Sequence, residues 1–152
     1  MPFTIHAGEC GSAENVKIAV EMGAKRIGHG VAIVENEEIK ELCRKYKVCL
    51  EMCPVSNLQT GAVEDIFQYP FWRLYKEGVC ATIHTDNRTV SNTSLTNEWA
   101  VLTEKFPQID RDVILKANLA AAGAAFLPEG EKKKLEEIIL KYKLQNPSVQ
   151  VL

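Results

Sequence analysis

The sequence predicts an α/β fold built on a parallel sheet, and three observations carry that expectation. Short strand-like runs recur four times, at residues 3–7, 24–28, 48–53 and 79–85. Between them lie stretches of helical period, opened by capping residues or closed by glycine. The chain's three histidines, His6, His29 and His84, each stand where an apolar run gives way to glycine or polar residues. Strand and helix in alternation require parallel pairing with right-handed crossovers. In such folds the strand ends hold side chains rigidly while the loops beyond leave room for a ligand.

Residues 3–7 form the first strand, and Gly8 with Gly11 open a turn before Ser12, the N-cap of a helix reaching about Met22. Val16, Ile18, Ala19 and Val20 supply its apolar face and Gly23 ends it. The unit then repeats, with a strand at 24–28 running into Gly28-His29-Gly30 and a helix at 36–46 bearing Ile39, Leu42 and Cys43 at helical spacing. Residues 48–53 make the third strand, stopped by Pro54, which has no N–H for a ladder, and 54–57 are its exit loop. Helix follows over 63–76, restarted at Pro70, before the fourth strand at 79–85. After a polar stretch at 86–93 come three helices, at 94–105, 110–126 and 131–142, and the tail over 143–152 reads as loose. Trp72 and Trp99 are assigned to the core.

Four such units make half of a (β/α)8 TIM barrel plus C-terminal helices, in one domain spanning 1–152. They are too few to close a barrel, which takes eight strands and usually ~250 residues. Four parallel strands alone would leave two unpaired edges and an apolar inner face. A formal charge of −2 supplies no pull toward nucleic acid or an anionic membrane. No apolar run approaches the ~20 residues of a membrane span and no signal-like start is present, so the cytoplasm is the default location. Five cysteines without a close repeated pair read as reduced core thiols.

On a strand of period two, His84 and Asp86 would face the same way, toward one metal ion. His6 adds an imidazole at the first strand's end, and Glu9 in the following turn overhangs the same spot. A metal-activated water needs a carboxylate to take its proton and pass it to a leaving group. His29 would stand across that water as an electrostatic or acid/base group. Glu51 on the third strand reads either as an inward residue supporting His29 or as a solvent-exposed one. The others have ordinary readings too: strand-end histidines satisfied in the core, Asp86 nucleating a turn, and Glu9 facing a helix dipole.

His6-Ala7-Gly8-Glu9, Gly28-His29-Gly30, Cys53-Pro54-Val55-Ser56-Asn57 and Thr85-Asp86-Asn87 resemble, in order and spacing, motifs of the adenosine deaminase family. The resemblance runs over nearly the whole chain. It implies a zinc-dependent barrel that hydrolyses the 6-amino group of adenosine or deoxyadenosine to give inosine or deoxyinosine and ammonia. By that resemblance His6 and Asp86 are zinc ligands, and Glu9 is the proton-transferring carboxylate beside purine N1. His29 resembles the histidine that orients and activates the zinc-bound hydroxide, and Gly8 the glycine whose N–H meets purine N3.

The chain also departs from the family pattern. Asn87 stands where a second aspartate commonly holds N7, and an amide can donate there without needing to stay protonated. His84 replaces a frequent asparagine, adding a ligand or only a hydrogen bond. The His-x-His pair of the family's first strand, which gives two further zinc ligands, is missing. The chain therefore reads as the C-terminal half of a longer protein, expected to associate with the missing N-terminal half or with a second copy of itself. Its alternatives are a deaminase of adenine or another 6-aminopurine, and a half-barrel that associates without catalysis.

Overall fold

The computed structural model describes the backbone of residues 1–145 and the side chains of residues 1–142. Four parallel strands, β1 (Thr4–Ala7), β2 (Arg26–His29), β3 (Cys49–Met52) and β4 (Cys80–Ile83), lie in the order β1-β2-β3-β4. The order never reverses, so the sheet has no topological switch of the doubly wound kind and runs as consecutive strands of a barrel do. Register sorts the side chains into two faces. Ile5, Ile27, Leu50 and Ala81 align across the sheet and join the apolar core with Ala7, Met52 and Ile83.

The opposite face is polar, which corrects the expected apolar inner face. It carries one row of Thr4, Arg26, Cys49 and Cys80 and a second of His6, Gly28, Glu51 and Thr82. The reason is visible in the pairing. Thr4 Oγ1 donates to Glu51 Oε2 at 2.7 Å, Arg26 Nε lies 3.1 Å from Glu51 Oε1, and Thr82 Oγ1 donates to the Leu50 carbonyl at 2.9 Å.

The crossover helices pack on the apolar face. In α1 (Ala13–Glu21) Val16, Ala19 and Val20 are buried, whereas Ile18, expected with them, is 49% exposed. Ser12 has extended backbone but its side chain makes no capping bond. Gly23, at φ +95, closes α1 as expected. A 3-10 turn, Val31–Ile33, precedes α2 (Glu37–Tyr46), where Asn36 Oδ1 accepts from the Ile39 N–H at 3.0 Å. The expected exit loop at 54–57 is instead α3 (Pro54–Gln59), with proline at its N1 position, where a missing N–H costs nothing.

The helical stretch expected over 63–76 does restart at Pro70, as a 3-10 turn at Ile66–Gln68 followed by α4 (Phe71–Lys76). Tyr69 between them is extended, as the residue before a proline is driven to be. The fourth strand stops at Ile83 rather than at 85, and the polar stretch holds a short helix, α5 (Arg88–Ser91). Then follow α6 (Leu95–Lys105), α7 (Arg111–Ala124) and α8 (Glu129–Gln145). Of the tail expected to be loose over 143–152, residues 143–145 instead continue α8, and the rest, from 146 onward, lies outside the described residues.

Cys43, Cys49 and Cys53 are buried and Cys80 partly so, but Cys10 is exposed, against its assignment to the core. Burial pushes the Cys43 thiol up to about 11 and Cys53 to about 12, holding both as thiols. Trp99 is buried, while Trp72 is only partly covered and stacks on Tyr75 at 5.8 Å. Among the described residues no helix is long and apolar enough to cross a membrane.

Candidate active site

The site is assembled at the C-terminal ends of β1, β2 and β4 by three local devices. The first is the lack of a side chain at Gly28, where a Cβ would lie 2.8 Å from His6 Cδ2. The His6 imidazole therefore lies across β2, its ring centroid 5.0 Å from that of His29. The second is Gly8, at φ +65, where a Cβ would come within 2.6 Å of Val16 Cγ2. Only glycine lets α1 pack against this turn, which is latched by the Ala32 N–H donating to the Gly8 carbonyl at 3.0 Å.

The third device is strain. Among the four described non-glycine residues at positive φ are His29 (φ 69) and Asp86 (φ 53), a conformation that costs about 1–3 kcal/mol each and persists only where neighbours hold it. His29 is 1% exposed. Its Nδ1 meets Asn57 Nδ2 at 3.0 Å, and its Nε2 lies 3.4 Å from Glu9 Oε2. Thr60 Oγ1 donates to the other Glu9 oxygen at 3.3 Å. Asp86 Oδ2 accepts from Ser56 Oγ at 2.7 Å. Because Asp86 lies beyond β4 on a left-handed backbone, strand alternation does not decide where its carboxylate points, as the sequence argument had it.

Adjacent residues of α3, Ser56 and Asn57, thus hold the two strained residues, and both are buried. The helix is itself pinned by Glu98 of α6, whose Oε2 accepts from the Val55 N–H at 2.9 Å. Burial raises the Glu98 carboxyl above its ordinary range, opposed by that N–H and by Thr93.

Asn87 Oδ1 accepts from the N–H groups of Thr89 and Val90, at 3.1 and 3.0 Å, capping α5. The cap consumes the carbonyl oxygen and turns the NH2 end away from the helix as a donor. His84 Nε2 is 2.9 Å from Thr82 Oγ1, so it makes a hydrogen bond within its own strand end, and burial lowers its pKa. Glu51 does face inward, but it pairs with Thr4 and Arg26; the support of His29 expected from it comes from Asn57.

An imidazole and a carboxylate are donors that zinc accepts, and the space left at Gly28 gives the His6 ring its place. They fit as part of a donor set: among the described residues no three of His, Cys, Asp and Glu come together to hold a metal ion. Beside Glu9 an open cleft of ≈ 570 Å³, walled by Val31, Ala32, Val34, Thr60 and Val63, is of ligand size. Sequence reasoning missed Thr60, Tyr69 and Glu98, and it placed Ser56 and Asn57 in an exit loop and a family-like motif without giving either a role. The Pro54 start of a short polar helix was the available signal; Glu98, 43 residues from Val55, gave none.

Parallel strands in barrel order with imidazoles and carboxylates gathered at their C-terminal ends define a half-barrel with an enzyme-like site. The chain belongs to the adenosine deaminase family, whose model matches residues 1–142. It is 45% identical over 139 residues to the adenosine deaminase of Enterococcus faecalis, covering 91% of this chain and 41% of that protein. It therefore spans about two-fifths of the length of such relatives. The fold matches adenine deaminase from Arthrobacter aurescens with TM-score 0.87 at 19% identity, over 93% of this chain and 43% of that one. It also matches a zinc-bound amidohydrolase from Burkholderia ambifaria with TM-score 0.82 at 20% identity, over 95% and 41% of the two chains.

Proposed function

We propose that this chain supplies the proton-transfer half of a hydrolytic deaminase acting on the 6-amino group of adenosine or deoxyadenosine. The observation that carries the proposal is the convergence of Glu9 and His29, 3.4 Å apart, from two neighbouring strand ends. The reaction consumes water and releases ammonia, leaving inosine or deoxyinosine. His6 and Asp86 would hold zinc together with ligands from outside this chain, as the bound metal of the Burkholderia neighbour supports. Zinc, when bound, supplies the Lewis acidity that makes a water nucleophilic near neutral pH.

Glu9 stands at the cleft wall, where a carboxyl can give a proton to purine N1, take one from the attacking water and pass it to the departing amine. His29, shielded from solvent, holds one ring nitrogen toward that exchange, where it orients the attacking oxygen. The Asn87 NH2 is free to donate to N7, and the Gly8 N–H is assigned to N3. The name of the Enterococcus relative favours the nucleoside; adenine or another 6-aminopurine is the second reading, favoured by the likeness to the adenine deaminase. The partner that would complete the metal site is the N-terminal half of the barrel; a second copy of this one would cover the open strand edges without adding that half's ligands.

The test uses the full-length protein containing this chain, assayed for ammonia release from adenosine. Glu9→Gln should abolish turnover while purine binding stays within about tenfold, since only proton movement is removed. Unchanged turnover in the variant would remove Glu9 from the reaction.

A further inference from the structure

A buried side-chain chain runs away from the site on its far side. Tyr69 Oη donates to Asn57 Oδ1 at 3.1 Å, and Asn57 Nδ2 meets His29 Nδ1 at 3.0 Å. Asn57 is 0% exposed, His29 1% and Tyr69 2%, so no water competes for these bonds. Desolvation raises the Tyr69 phenol well above its ordinary pKa, so it is a neutral hydroxyl with one hydrogen to give. The hydroxyl hydrogen is then directed at Asn57 Oδ1, which fixes which end of the amide is which. The NH2 end faces His29, and Nδ1 must accept.

We propose that Asn57, oriented by Tyr69, is a positioning residue that locks His29 in the tautomer protonated at Nε2, with that N–H aimed at Glu9. The proposal deepens the deaminase reading and rests on it only for the catalytic consequence. His29 then meets the reaction as a hydrogen-bond donor rather than as a resting base, and Glu9 is the single group that accepts the water's proton. The strained backbone at His29 has the same cause. A histidine at φ 69 is kept there because its ring is bonded at Nδ1 inside the protein.

The experiment is 15N NMR of histidine-labelled full-length protein, which reads the protonation of each ring nitrogen directly. His29 is identified by the signal missing from His29→Asn, since asparagine tolerates a positive φ. Wild type should show Nδ1 bare and Nε2 protonated. Asn57→Asp replaces the donor with an acceptor and should move a proton onto Nδ1, with kcat falling roughly 10²–10⁴-fold and KM changing far less. Tyr69→Phe keeps the packing and frees the amide to turn over, so a second tautomer should appear and kcat fall about tenfold. Should Asn57→Asp fail to fold, the wild-type and Tyr69→Phe spectra still decide. A wild-type His29 protonated at Nδ1, or an unchanged tautomer in Tyr69→Phe, overturns the proposal. Absence of adenosine deamination with the expected spectra would instead refute the substrate reading and leave the lock standing.

Discussion

At the scale of single residues, the site depends as much on atoms that are missing as on those that react. Gly28 lies on β2 opposite His6, and the imidazole occupies the volume a methyl group would need. Gly28→Ala should leave the fold almost unchanged, because the clash falls on the end of a movable ring rather than on backbone. The ring must give way, and zinc affinity of the full-length protein should fall about 10–100-fold, the usual effect of disturbing a ligand's support. Competition with a chelating dye measures this, and unchanged affinity would show that His6 does not hold the metal. The same close packing explains what sequence could and could not reveal. His6, Glu9, His29 and Asp86 were legible because strands end at glycine and polar turns. The left-handed backbones of His29 and Asp86 were not, since side-chain-bearing residues rarely adopt them and their support comes from Asn57 and Ser56, 28 and 30 residues away.

At the scale of elements, two kinds of contact hold the crossover helices. Apolar burial under the sheet was readable from helical periodicity. The ionic network joining α2 to α4 was not, because it depends on which side chains meet across the gap. Lys40 of α2 is buried and bonds Glu77 at 2.5 Å and Glu37 at 2.9 Å. Arg73 of α4 bonds Glu77 at 3.1 Å and pairs with Glu35. The hydrogen bond that Lys40 donates to Glu77 raises the lysine, and the same bond holds the Glu77 carboxyl below its ordinary 4.5. A lowered carboxyl contributes stability above its unfolded pKa and loses it as pH falls through the folded value. A raised lysine contributes below 10.5 and loses it as pH rises further. The pair is therefore at full strength between the two ordinary values, from about 4.5 to about 10.5. Lys40→Met should lower stability to urea at pH 7, and the deficit should shrink as the medium is acidified below pH 4.5. A deficit equal at both pH values would show that Lys40 acts through packing alone.

At the scale of the molecule, the sheet has two ends. Among the described residues β1 pairs only with β2 and β4 only with β3, so each presents one free edge, though α7 packs beside β4. The inner face is polar rather than apolar, which weakens one expected drive to associate and leaves the other, because an open edge offers backbone N–H and C=O groups to any strand of matching register. Thr4 and His6 on β1 are exposed on that same face, where a complementary half would add its own ligands beside His6. The 152-residue chain expressed alone is therefore expected to sediment as an associated species at micromolar concentration, and to form a one-to-one complex with the N-terminal half when the two are mixed. Tight zinc binding should appear only in that complex, since zinc takes three or four protein ligands and the proposed site draws only two, His6 and Asp86, from this chain. Sedimentation equilibrium with zinc analysis of each species measures both. A monodisperse 17.0 kDa particle that unfolds cooperatively and ignores the other half would show that α7 and α8 cover the sheet well enough for the half-barrel to stand alone.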